Sequence, residues 1–410
     1  VADRELIDVL HARIMRELDM SATVSDGEVL RLIDTVLSGE AGIPLGQKLD
    51  IRYRLFNKIR RMDILSELLE DDSISEIMIN GYDKIFVERA GRIERWDQGF
   101  ESPEKLMSVV QQIVSNVNRR VNDACPIADA ILSDGSRVNI VLEGVSCDGT
   151  AVTIRKFPDK CFDMRQLIGI GSLSEEVAAF LEMLVYSGYN LFISGGTGAG
   201  KTTFLNALTE FIPSDERVIT IEDSAELQVI GIDNLVRLEA RSANVEGANE
   251  ISIRDLIRSS LRMRPDRIIV GEVRDSAAID MLQAMCTGHD GSLSTGHANS
   301  AHEMLMRLES MVLTGADLPL KAVRQQIAAA IDIVVHLGRL RDRSRRVLEI
   351  REVVGLEGDD IVTRELYRFE ESGEKDGRVI GELKKINDLL SVGKLIAAGR
   401  FTVEEKTYGT

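Results

Sequence analysis

Cysteine is scarce in this chain of 410 residues: Cys125, Cys147, Cys161 and Cys286 are too few and too scattered for a disulfide framework or a four-cysteine zinc element. A reducing cytosol is the simplest home for such a chain. Long apolar runs are missing as well. A membrane span needs roughly 18–20 apolar residues, and the nearest stretch, 327–335, is cut by Asp332. The first residues, Val1-Ala2-Asp3-Arg4-Glu5-Leu6, are charged and do not read as a signal peptide. Work at a membrane is therefore expected to involve docking. Positive charge is short: 50 Lys and Arg face 67 Asp and Glu, a formal net charge of −17. That balance argues against nonspecific binding to nucleic acid or anionic lipid while leaving room for a local basic patch. No stretch interleaves aromatic and basic residues as single-strand binding requires, and no repeat of fixed period is found.

What is present fits a globular chain, with 44% hydrophobic and 29% charged residues. At roughly 100–200 residues per domain, the length predicts two or three domains. Residues 1–70 read as a helical appendage, with Leu6, Val9, Leu10, Ile14 and Leu18, then Val29, Leu32, Ile33 and Val36, at helical spacing. Residues 71–165 read as an α+β domain, with strands expected at 74–80, 85–87, 136–142 and 151–156 and a helix at 103–118. A helical linker is expected over 166–184. From 185 to 356 short buried-type strands (190–194, 217–221, 267–270, 292–295) alternate with helical stretches (201–211, 252–263, 276–287), which implies an α/β domain with a parallel sheet. The tail, 357–410, is polar and its patterning assigns it no fold.

The sharpest signal is Gly195-Gly196-Thr197-Gly198-Ala199-Gly200-Lys201-Thr202, which fits G-x-x-x-x-G-K-[ST] between an expected strand and an expected helix. In such a loop backbone N–H groups cradle phosphate, the lysine reaches the β- and γ-phosphates, and the Thr202 hydroxyl ligates Mg²⁺. Thr203 follows in the same first helical turn. Three more strands end in groups suited to phosphoryl chemistry: Glu222 and Asp223 after the second, Glu272 after the third, and His297 after the fourth. In an open α/β sheet these strand ends face the ligand crevice. Glu272 is the first candidate for polarising water, with Glu222 close behind, and both are candidate metal ligands; ordinary solvated carboxylates are the plain alternative. His297 is a candidate donor to the γ-phosphate or a structural histidine.

Arg254, Arg258 and Arg262 recur every four residues, on one helix face. They read either as an interface or charge-neutralising wall, or as a solvated face paired with acids. Arg137 and Arg155 fall in expected strands of the smaller domain, where each needs a partner: the nucleotide phosphate across a cleft, or a structural salt bridge.

Together these residues resemble the bacterial type II/type IV secretion ATPase family. The run from Arg262 to Arg274 (RMRPDRIIVGEVR) resembles its Walker B region, Ile221 to Leu227 (IEDSAEL) its aspartate box, and Ser294 to Asn299 (STGHAN) its histidine box. The runs 134–139 and 153–157 make the CpaF/TadA-type tight-adherence (Flp) pilus ATPases the nearest branch. The resemblance implies an ATP- and Mg²⁺-dependent homo-hexamer whose subunit joins a small N-terminal domain to a RecA-like P-loop NTPase domain. It also implies a cytoplasmic location, docked on an inner-membrane pilus or secretion platform protein; the acidic balance adds that no nucleic acid partner is expected. By motif the resemblance assigns Lys201 and Thr202 to phosphate and Mg²⁺, Glu272 to catalysis as the Walker B carboxylate with Lys201, Glu222 to assist, His297 to coupling, and Arg137 and Arg155 to the nucleotide. The third strand ends in Gly-Glu where Asp is common, so either Glu222 or Glu272 is left to polarise water. Rival readings are a conjugation or effector-secretion ATPase, a nucleic-acid motor and a nucleotide-switched scaffold.

Overall fold

In the computed structural model, which describes residues 2–18, 24–40, 42–89, 91–116, 120–157, 162–241 and 249–400, the chain separates into two units, Val1–Asp159 and Lys160–Thr410. The first opens with helices α1 (Ala2–Glu17), α2 (Asp26–Gly39), α3 (Leu45–Arg60) and α4 (Ile64–Glu70). A capping box starts α2: the Ser25 side chain accepts from Glu28 N–H, and the Glu28 carboxylate accepts from Ser25 N–H. Leu10, Ile14, Val29, Ile33, Val36, Ile51 and Leu55 form the helical core; Val9, on the same spacing, is 66% exposed.

A six-stranded antiparallel sheet follows, built from β1 (Ile74–Asn80), β2 (Ile85–Arg89), β3 (Arg92–Trp96), β4 (Ile127–Ile131), β5 (Arg137–Val141) and β6 (Ala151–Arg155), with α5 (Pro103–Asn116) between β3 and β4. Its order is β3-β2-β1-β6-β5-β4. Alternation sends Val138, Ile140, Val152 and Ile154 into one core with Val110 and Ile113 of α5, and so turns Arg137 and Arg155 to the opposite face. The edge strands β3 and β4 go beyond the expected set. The first reads Arg-Ile-Glu-Arg-Trp and is exposed save for Trp96, while β4 buries no more than Ala128 and Ala130. Edges carry a weak apolar signal. The last two residues of the expected helix, 117 and 118, lie outside the described residues, as does Cys161.

The second unit runs α6 (Met164–Gly169), α7 (Glu175–Tyr186), β7 (Leu191–Gly195), α8 (Lys201–Thr209), β8 (Val218–Glu222), β9 (Leu235–Glu239), α9 (Ile253–Ser260), β10 (Arg267–Val270), α10 (Ala277–Cys286), β11 (Leu293–Gly296), α11 (Ala301–Gly315), α12 (Leu320–Ala330), β12 (Ile333–Arg339), β13 (Arg345–Glu357), β14 (Asp360–Lys375), β15 (Arg378–Lys385) and α13 (Gly393–Ala397). Its sheet has the order β15-β14-β13-β12-β7-β11-β10-β8-β9. Pairing is parallel from β12 through β9 and antiparallel from β12 to β15. Helices cover both faces of the central strands, so these read as continuous apolar runs. Leu191 and Ile193 of β7 join the core of α7 and α8, while Phe192 joins that of α10 and α11.

Two expectations change. Residues 166–184, read as a linker, form most of α6 and α7, and Val177, Leu181, Leu184 and Val185 are fully buried in the second unit's core. The stretch after 356, without an expected fold, supplies β14, β15 and α13; residues 401–410 lie outside the described part. These strands carry charge on both faces, which hides them from an apolar-periodicity reading.

Candidate functional site

The phosphate loop lies where β7 passes into α8. Gly198 and Gly200 have φ of 71° and 91°, a left-handed backbone that glycine adopts without a side-chain clash. Gly200 is also the N-cap of α8 and offers no capping side chain. The helix's leading N–H groups are thus directed at whatever anion enters the loop. Thr202 and Thr203 stand half-buried in the first turn.

Lys201, 8% exposed, donates from Nζ to the carbonyls of Gly195 (3.2 Å) and Gly196 (3.4 Å) and lies 3.2 Å from His297 Nδ1. His297 Nε2 lies 3.0 Å from Glu272 Oε1. The other oxygen of Glu272 accepts from Arg274 Nη2 at 2.7 Å, and Arg274 Nη1 is 3.6 Å from Asp223. The ends of β7, β10 and β11 therefore converge in one chain of polar groups. Burial, reinforced by the Lys201 ammonium, lowers the His297 pKa. A neutral ring with its proton on Nε2 accepts from Lys201 and donates to Glu272. Burial works to raise Glu272, but Arg274, His297 and Lys201 outweigh it and hold the carboxylate below its ordinary range.

Glu222 stands one strand further, at the end of β8, and is 3% exposed. Its Oε2 accepts from Glu226 N–H (2.8 Å) and Leu227 N–H (2.9 Å), while Oε1 has no hydrogen-bond partner among the described residues. Burial overcomes the two backbone bonds and pushes its pKa up to about 7. A Cβ on Gly271 would sit 2.9 Å from Glu222 Cγ, so glycine there lets Glu222 lie beside the end of β10. No hydrogen bond among the described residues joins Glu222 to the Lys201–His297–Glu272 chain.

Arg137 and Arg155 belong to the first unit. They face each other across β5 and β6, and Glu76 of β1 pairs with Arg155 on its other side. The arginine stripe on α9 resolves toward the plainer alternative: Arg254 and Arg258 both pair with Asp280 of α10, at 2.6 and 2.7 Å, and Asp280 is buried. Two sets of contacts escaped the sequence reading. Thr295 donates from Oγ1 to the Gly271 carbonyl at 2.7 Å and its carbonyl accepts from Val273 N–H at 2.9 Å, fixing the turn that carries Glu272. Arg345 bonds the phosphate loop from a strand far along the chain. Both contacts depend on sheet register, for which a local motif carries no signal.

A sheet with parallel central strands, one of which opens into a phosphate loop, with acids and a histidine at neighbouring strand ends, defines a RecA-like P-loop nucleotide-binding domain. The chain belongs to the type II/IV secretion system protein family, whose description matches residues 60–386. It is 35% identical over 301 residues to a Mycobacterium tuberculosis (strain H37Rv) protein named for conjugal transfer, covering 72% of this chain and 85% of that one. To the type IV secretion system protein VirB11 of Bartonella quintana it is 31% identical over 329 residues, covering 70% and 90% of the two chains. The crystal structure of the Legionella pneumophila ATPase DotB shares the fold, with a TM-score of 0.51 and 23% identity over 71% of this chain and 80% of that one. The family is one of secretion ATPases, and nucleotide binding follows from membership. Among the described residues no helix is long and apolar enough to cross a membrane.

Proposed function

We propose that this chain is a Mg²⁺-dependent ATPase that works as a homo-hexamer in the cytoplasm, docked on an inner-membrane platform protein, and drives assembly of a tight-adherence (Flp) type pilus. The polar chain Lys201–His297–Glu272 carries the reading. Lys201 holds two carbonyls of its own loop, and its Nζ is in place to exchange them for phosphate oxygens. Glu272, kept ionised, accepts a hydrogen bond from the attacking water and orients it. His297 lies between them and passes the loss of its Lys201 contact to Glu272, linking phosphate occupancy to the carboxylate. The Thr202 hydroxyl and the unpartnered Oε1 of Glu222 would hold a Mg²⁺ ion, which would supply charge neutralisation at the phosphates. Arg137 and Arg155 are assigned to the nucleotide phosphates in the working assembly, where losing the γ-phosphate would release them.

Steady-state hydrolysis and nucleotide titration test this. Glu272→Gln is expected to keep ATP binding and lose about 10²–10⁴-fold in turnover, whereas Lys201→Ala loses binding. Arg137→Ala with Arg155→Ala should lower turnover and abolish the nucleotide-dependent shape change. A Glu272→Gln protein hydrolysing ATP at the parent rate sinks the catalytic assignment. A second reading, export through a conjugation or effector-secretion channel, is supported by the relatives named for conjugal transfer and type IV secretion. Prepilin and platform genes beside this one favour the first reading, channel components the second.

A further inference from the structure

The phosphate loop has a clamp that lies outside its own motif. Its Gly198–Gly200 segment has left-handed glycines at both ends (φ 71° and 91°), and within the loop the Ala199 N–H donates to the Gly196 carbonyl at 3.2 Å. Arg345, the first residue of β13, donates from Nε to the Gly198 carbonyl at 2.9 Å, across 147 residues of sequence. Its Cδ lies 3.4 Å from where a Cβ would stand on Gly200. The clamp is itself anchored. Ser172, 8% exposed, donates from Oγ to the Arg345 carbonyl at 2.9 Å, and its own carbonyl accepts from Val347 N–H at 2.9 Å. The turn before β13 is braced by Asp342, which accepts from Ser344 N–H (2.9 Å), Ser344 Oγ (2.6 Å) and Val379 N–H (2.8 Å).

The strand register also ties β13 to the loop. Leu337 of β12 pairs with Gly195 at the start of the loop, and two residues on Arg339 pairs directly with Arg345. By alternation both arginines share the face of Leu337 and Val347, which pack in one core with Ala199 and Phe204 of the loop and its helix. Arg345 thus starts its strand on the face of the sheet that packs against the loop and its helix.

We propose that Arg345 is a positioning residue for the nucleotide. It pins the Gly198 carbonyl so that the loop is preset for polyphosphate. The proposal rests on the ATPase reading above and adds a determinant of nucleotide affinity to it.

The test uses the full chain, with fluorescent ATP and ADP analogues for Kd, steady-state kinetics for KM and kcat, and hydrogen–deuterium exchange of residues 196–201 without nucleotide. Arg345 is exposed, so Arg345→Ala is expected to raise Kd and KM about threefold to tenfold, the worth of one solvent-screened charge-assisted hydrogen bond plus loop ordering. Its kcat at saturation should fall far less, and exchange in the loop should quicken. Arg345→Lys, which keeps one charged donor, should recover most of the affinity. Arg345→Ala with parental Kd, KM and loop exchange overturns the proposal, as does a lowered Tm with unchanged KM in the folded protein. If instead the parent protein neither binds nor hydrolyses ATP, the ATPase reading fails, and unchanged loop exchange in Arg345→Ala would separately refute the clamp.

Discussion

Burial holds the carboxyl of Glu222 at a pKa of about 7, against an ordinary value of 4.5, and that displacement has a consequence for stability. A raised folded-state pKa favours the protonated form, so its contribution is complete below pH 4.5 and is lost as the pH climbs through 7. Glu222→Gln keeps an acceptor for the Glu226 and Leu227 amides and carries no charge. The variant should match the parent near pH 4.5 and exceed it above pH 7 by up to ~3 kcal/mol, because each tenfold change in proton affinity is worth about 1.4 kcal/mol. Denaturant unfolding from pH 4.5 to 8 reads this, and parallel curves for the two proteins refute it. Glu222 is legible in the sequence as an acid at a strand end. Its burial is not, because that comes from the absent side chain of Gly271 on the neighbouring strand.

Among the elements, α9 shows how a charge stripe is used. The spacing of Arg254, Arg258 and Arg262 predicts one helix face, but α9 ends at Ser260 and carries only the first two, and the partner that decides their role, Asp280, sits on a different helix. Asp280→Ala removes a buried carboxylate and leaves two arginines that are 31% and 56% exposed and stay hydrated. A fully buried broken pair costs about 3–5 kcal/mol; partial exposure of these arginines brings the expected loss to roughly 1–2 kcal/mol. Thermal unfolding of the variant measures it, and an unchanged midpoint would show that the paired arginines do not hold α9. The central strands β7, β8, β10 and β11 are readable within one residue at each end, being short apolar runs buried on both faces. The outer strands β3, β4, β14 and β15 are not, since exposure removes the apolar signal.

At the scale of the molecule, the polar C-terminal stretch is part of the second unit's support. Glu352, 1% exposed, accepts from the amides of Leu390 and Ser391. Tyr189 donates to the Ser391 carbonyl, and Lys394 pairs with Asp290 and Asp332 at 2.7 Å each. Leu395, 2% exposed, completes the core. A chain ending at residue 385 strips a buried carboxylate of both donors and uncovers Tyr189. It should lose on the order of 5 kcal/mol, visible as a lower unfolding midpoint and faster hydrogen exchange in β7; a parental melting curve would contradict this. Sequence by itself determined the phosphate loop, the acids and histidine that end the neighbouring strands, and the alternation that makes the central sheet parallel. Each of these is a local pattern of residue type and spacing. Tertiary structure alone decided that Lys201, His297 and Glu272 form one chain, that Glu222 is buried, that Arg345 reaches Gly198, and that residues 166–184 and 357–400 belong to the second unit. Those outcomes depend on strand order and register, which bring together residues that no local pattern connects.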